Sequence, residues 1–282
     1  MSHKFKLYSN ANNSCYMDTL LSILFYANSG FLIKKILKQR TSVIDYPKTV
    51  CTTKSTIGNL TKYASEVQEL FETLYNDAER KVHSCDMIEK LSECNTEMSL
   101  GEFTNVAEVY SLICDLFPAL KITYQRSESD KIYIREQCMF DVTDITDIPS
   151  YIVSEPPFYV FSNGGIERGV AGLIDWKSKG FDFEIFGGMY VLVGAILHVG
   201  LAHYTSVFID TSSPSDGVES GGGEGVEDGG ESQSGKWYFY DDGRSATPLP
   251  VSKQHVNVIF KDSPRIQPAM FFYVKKNYLS QV

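Results

Sequence analysis

Residues 189–209 read MYVLVGAILHVGLAHYTSVFI. Two runs inside this stretch, 189–197 and 203–209, are dense in β-branched and aromatic residues and short enough to be strands. The longest apolar run of the chain, Met189 to Leu201, covers 13 residues and includes His198, whereas a membrane-crossing helix needs about 20. Around this pair the same texture recurs. KITYQR, KIYIRE and PFYVF lie upstream, and KWYFYDD, HVNVIF and AMFFYV lie downstream, each bounded by Gly, Asp, Ser or Pro. All are read as strands.

The first half has a different period. In CYMDTLLSILFY, from Cys15, the residues Met17, Leu20, Leu21, Leu24 and Phe25 fall on one helical face. Ser14 suits the N-cap and Asp18 the first turn. A second helix is expected from about Ser29, and others over about 65–83, 86–93 and 105–117, the last ending before Pro118. Helices over about 10–117 followed by strands over about 118–282 indicate an α+β fold, with a cleft where the halves pack. The chain of 282 residues is treated as a single domain.

Composition narrows the function. The chain is 43% hydrophobic with a formal net charge of −9, ordinary for a globular protein and poorly suited to neutralising phosphate, so nucleic acid is not an expected partner. Residues 212–235, SSPSDGVESGGGEGVEDGGESQSG, carry −6 of that charge and leave −3 for the other 258 residues. This acidic, glycine-rich insertion is expected to be disordered, because it has too little apolar surface to offset its ordering entropy. No signal-like segment opens the chain, so a cytoplasmic location is expected, with the nucleus open, and no membrane association. The six cysteines are expected to be reduced, and with no C-x-x-C pair among them no metal site is expected.

Cys15 stands out chemically. A thiol at the first turn of a helix meets unpaired N–H groups and the positive end of the helix dipole, which favour the thiolate. Asn10, Asn12 and Asn13 lie just upstream, and an amide beside a nucleophile can donate to an oxyanion. Taken singly, a cysteine is more often a packing residue, and an Asn-rich stretch is often simply a turn. A thiolate also needs a base and an orienting group. His203, between the two strand runs, is the favoured base, with His198 as its rival. Asp241 and Asp242 close the KWYFY strand. Side chains alternate along a strand, so the two acids address opposite faces unless the strand ends between them.

These residues stand in boxes that resemble those of the ubiquitin-specific proteases, papain-like cysteine peptidases. The cysteine box of that family, N-x-x-N-[ST]-C-Y-[MLF]-N, is similar to N-A-N-N-S-C-Y-M-D at Asn10–Asp18. Its histidine box, Y-x-L-x-A-V-x-x-H-x-G-x-x-x-G-H-Y, resembles Y-V-L-V-G-A-I-L-H-V-G-L-A-H-Y at Tyr190–Tyr204, and W-x-x-F-[DN]-D resembles W-Y-F-Y-D-D at Trp237–Asp242. Weaker similarities lie at Asn105–Leu116, Pro156–Phe161 and the AMFFYVKK stretch. The chain departs from the pattern at Ala202, Asn105 and Asp18. Only 40 residues, with the single cysteine Cys138, lie between Asp115 and Pro156, where the family has a zinc-bearing fingers region.

The resemblance implies a papain-like fold with a thumb-like helical half, a palm-like β half, and fingers reduced to a short metal-free hairpin. It implies Cys15 as nucleophile, His203 as general base, Asp241 as orienting acid and Asn10 as oxyanion donor, with Asp242 able to share the third role. The implied activity is that of a monomeric, cofactor-free deubiquitinase acting on ubiquitin or ubiquitinated proteins. The alternatives are an inactive ubiquitin-binding scaffold and a protease for another modifier such as SUMO.

Overall fold

The computed structural model describes residues 11–44, 60–76, 83–94, 98–102, 104–120, 131–133, 139–141, 150–154, 159–161, 170–173, 181–185, 188–200, 203–211, 235–262 and 266–279. Among the expectations, Asn10, Ala202, Cys51, Cys138, the KITYQR strand and all of the acidic insertion except Gly235 lie outside these residues.

The helical half comprises α1 (Cys15–Tyr26), α2 (Phe31–Lys38), α3 (Leu60–Asn76), α4 (Ser84–Ser92) and α5 (Val106–Leu116). The β half follows as β1 (Lys131–Tyr133), β2 (Met139–Asp141), β3 (Tyr151–Ser154), β4 (Tyr159–Phe161), β5 (Val170–Leu173), β6 (Asp182–Ile185), β7 (Gly188–Val199), β8 (His203–Asp210), β9 (Lys236–Tyr240), β10 (Leu249–Val251), α6 (Lys253–Asp262) and β11 (Ile266–Lys275). The chain is therefore α+β, helices first and an antiparallel sheet after. The main sheet runs β10-β9-β8-β7-β11-β3, with β6 also on β7.

Two expectations need correction. HVNVIF is not a strand but the centre of α6. Its buried residues Val256, Ile259 and Phe260 are spaced three and one apart while Val258 is exposed, a helical period that outweighs β-branched composition. Ser252 starts this helix by accepting the His255 N–H on its hydroxyl at 3.1 Å. The strands before β7 are also more numerous than expected: β1 and β2 form the short hairpin expected between Asp115 and Pro156, while β4 and the unexpected β5, both beyond Pro156, extend it into a second, four-stranded sheet.

Helix α1 is buried on almost every side because it lies between the other helices and the main sheet. Tyr26 stacks on Phe208 of β8, with ring centroids 5.5 Å apart, and Phe25 meets Phe71 of α3 edge to face. Gly194 of β7 allows this close approach: a Cβ there would stand 2.7 Å from Ile23 Cδ1. The buried hydroxyls of Ser22 and Ser206 hydrogen-bond at 2.6 Å across the same contact, pinning α1 along β8. The N-terminus of α1 is thereby held at the end of the sheet where β8 begins and β9 ends.

Cys94 corrects a third expectation. Buried just past α4, it is disulfide-bonded rather than reduced. Cys15, Cys85 and Cys114 are not disulfide-bonded. No single helix among the described residues is long and apolar enough to cross a membrane.

Candidate active site

Cys15 is the first residue of α1 and is 2% exposed. The turn before it is shaped by asparagines: Asn12 and Asn13 both adopt left-handed backbone, φ 53° and 59°, which short polar side chains tolerate better than most. Asn13 donates its side-chain amide to the Gly101 carbonyl at 2.6 Å, and the Gly101 N–H returns a bond to the Asn12 carbonyl at 3.0 Å. That amide is thus committed to anchoring the turn. Ser14 stands at the N-cap without capping; its hydroxyl donates to Asp18 Oδ2 at 2.5 Å and accepts the Ala11 N–H at 3.1 Å.

The thiol of Cys15 accepts the backbone N–H groups of Tyr204 and Tyr16, both of which favour the thiolate, but burial outweighs them. Desolvation first, and then the negative charges of Asp242 and Asp18, push the thiol up to about 11. The expectation of a thiol lowered by its helix terminus is therefore reversed. The same helix that supplies a favourable dipole also excludes the water that would solvate an anion.

His203 is the first residue of β8, immediately before the Tyr204 N–H that meets the thiol. Its Nε2 lies 2.8 Å from Asp241 Oδ1 and 3.6 Å from Asp242 Oδ1. With an ionised Asp241 as acceptor, Nε2 carries the proton and Nδ1 is left as the basic nitrogen. Asp241 is itself held from three sides: the Gly243 N–H reaches Oδ1 at 3.1 Å, Arg244 Nε reaches Oδ2 at 3.0 Å, and His203 completes the set. Strand β9 ends at Tyr240 and a turn follows, so both acids come within reach of one imidazole. They do so unequally. The Asp241 side chain is 11% exposed and paired, while that of Asp242 is fully buried.

His198 is elsewhere. It pairs with Tyr204 across β7 and β8, whereas His203 pairs with Val199, so alternation assigns the two histidines to opposite faces of the sheet. The His198 ring packs on Tyr204 with centroids 5.1 Å apart, a packing role.

The structure thus gathers Cys15, His203, Asp241 and Asp242 at one end of the α1–sheet contact, while Asn10 lies outside the described residues. Sequence reasoning missed Arg244, the Tyr204 N–H and the burial of Asp18, which is 1% exposed. The D-D-G-R turn was the available signal for Arg244; nothing local announced the other two. Donor atoms of His203, Asp241 and Asp242 lie within 4.8 Å of one another, a spacing a divalent cation could use. Within the cluster, Asp241 already serves His203, Gly243 and Arg244.

No protein-family model and no curated protein matches this chain.

Proposed function

We propose that this chain is a thiol-dependent hydrolase that cleaves the amide bond after the C-terminal glycine of ubiquitin, on a papain-like arrangement of a helical half against an antiparallel sheet. The observation that carries this reading is the His203–Asp241 bond at 2.8 Å, formed one residue from the backbone N–H that engages the Cys15 thiol. The resemblance of the boxes around these residues supplies the substrate class.

In this reading His203 Nδ1 takes the Cys15 proton as the sulfur attacks the carbonyl carbon, because a thiol held near 11 ionises only with a base at hand. Asp241 holds the ring and its Nε2 proton while the imidazolium exists. Collapse of the tetrahedral intermediate expels the lysine amine, which leaves with the proton from His203, and a thioester remains. Water deprotonated by the same imidazole then releases the carboxylate and the free thiol. No cofactor takes part. The protein would act as a monomer where ubiquitin conjugates occur, in the cytoplasm or nucleus.

The burial of Cys15 favours a second reading, an inactive ubiquitin-binding module. Probes of ubiquitin and SUMO carrying a C-terminal electrophile separate the possibilities. Labelling of Cys15 alone by the ubiquitin probe supports the proposal, and labelling by the SUMO probe alone changes the modifier. Ubiquitin binding without labelling establishes the module.

A further inference from the structure

Asp18 of α1 and Asp242 after β9 are the two most buried carboxyls of the site, 1% and 2% exposed. Their carboxyl groups face each other. Among the described residues, no hydrogen-bond donor nevertheless reaches Asp18 Oδ1 or either oxygen of Asp242. Two ionised carboxylates are acceptors only, so their contact becomes a hydrogen bond when one of them carries a proton. Leaving both charged and unpaired in a dry site is the costlier state.

The surroundings decide where the proton resides. Asp18 accepts the hydroxyls of Ser14, at 2.5 Å, and of Ser84 at the start of α4. Asp242 has no such donor; its neighbours are Asp18, Asp241 and, at 3.6 Å, His203 Nε2. Asp18 is the better-supported anion and Asp242 the natural holder of the proton. We propose that Asp18 is a positioning residue that keeps Asp242 as a neutral carboxylic acid donating to Asp18 Oδ1, so that Asp241 is the one ionised acid facing His203.

Burial raises both groups, and the charge of Asp18 raises Asp242 further, to about 6 and about 7, values that belong to the pair rather than to either residue. The charged or titratable groups around the pair are Cys15 and Tyr16 on α1, Cys85 on α4, His203 on β8, and Asp241 with its partner Arg244 beyond β9. Among them the Cys15 thiol feels both acids as opposing its ionisation. Loss of the shared proton above neutrality adds a second negative charge beside it and makes thiolate formation harder.

This assignment deepens the hydrolase reading and rests on it for its catalytic meaning, but its test does not need a substrate. Infrared difference spectra of the full chain, recorded from pH 5 to 9, report protonated carboxyls directly; iodoacetamide alkylation of Cys15 over the same range reports the thiol. The wild type is expected to retain one carboxylic acid signal at neutral pH, absent in Asp18→Asn and in Asp242→Asn. In Asp18→Asn an amide makes the contact without a proton, and the alkylation profile should move to lower pH by about 0.5–1 unit. Asp18→Ala removes the partner altogether, and its profile should differ from that of Asp18→Asn. A wild type with no carboxylic acid signal at pH 7 would overturn the proposal, as would identical alkylation profiles for wild type, Asp18→Asn and Asp18→Ala. A chain that shows the shared proton and the shifted profile but cleaves no ubiquitin substrate would keep the pair and refute the hydrolase.

Discussion

Two ends of one site obey different electrostatics. At the α1 end, Cys15, Asp18 and Asp242 are each no more than 2% exposed, and every group there is displaced toward its neutral form by desolvation. At the sheet end, His203 is 30% exposed at its side chain, and Asp241 is paired with it and with an Arg244 that is 80% exposed. There polar partners and water surround the groups instead. Adjacent in sequence, Asp241 and Asp242 fall on either side of this divide. Their surroundings differ although their residue type does not.

The strongest way to break this picture is to remove the reacting groups. Cys15→Ala and His203→Ala should each cost nearly all turnover, roughly a thousandfold or more, measured on ubiquitin with a fluorogenic C-terminal amide, while far-ultraviolet circular dichroism stays unchanged. If His203→Ala still cleaves and His198→Ala does not, the base has been misassigned.

The next largest effect sharpens the contrast between the acids. Asp241→Ala should lower kcat/KM by roughly tenfold to a thousandfold, since the ring can be held in part by Asp242 or water. Arg244→Ala should cost only a few-fold, because an exposed ion pair contributes little. Equal losses in the two variants would show that Arg244 does more than steady Asp241.

A smaller effect concerns pH and stability. In the unfolded chain Asp18 and Asp242 titrate near 4, and in the folded chain they hold protons up to about 6 and about 7. The folded state therefore binds more protons between these limits. The stabilisation is complete below about pH 4 and is lost as pH rises through about 7. Calorimetry at pH 6 and pH 8.5 should show wild type losing about 2–6 °C of Tm over that interval, and Asp242→Asn losing less. A steeper loss in the variant would reverse the sign argued here.

The smallest expected change separates packing from catalysis. His198→Ala removes the ring that lies on Tyr204, and should destabilise by about 1 kcal/mol in urea unfolding with kcat/KM within about twofold of wild type. Turnover falling as far as in His203→Ala would place His198 in the reaction.

Much of this architecture was legible one residue at a time. Helical spacing in CYMDTLLSILFY, the strand runs around His203 and the end of α5 before Pro118 all follow from local periodicity, and each appears in the structure within a few residues. HVNVIF misled because β-branched content was weighed above a spacing that is helical at Val256, Ile259 and Phe260. The short middle strands were undercounted because sheet membership depends on partners distant in the chain: β1 pairs with β4 as well as with β2.

For the site, residue type offered Cys15, His203 and the two acids after KWYFY as candidates, and the roles came from the resemblance of the boxes around them. Residue type could not say which acid would be shut away from water. That followed from α1 lying on β8, where Ser22 meets Ser206 and Gly194 leaves room for Ile23, which carries Asp18 against Asp242 and shuts water away from Cys15. Burial is a property of many distant residues at once. Residue type set which groups the site offers, and tertiary packing decided which of them are desolvated, because desolvation acts through surroundings that no single segment contains.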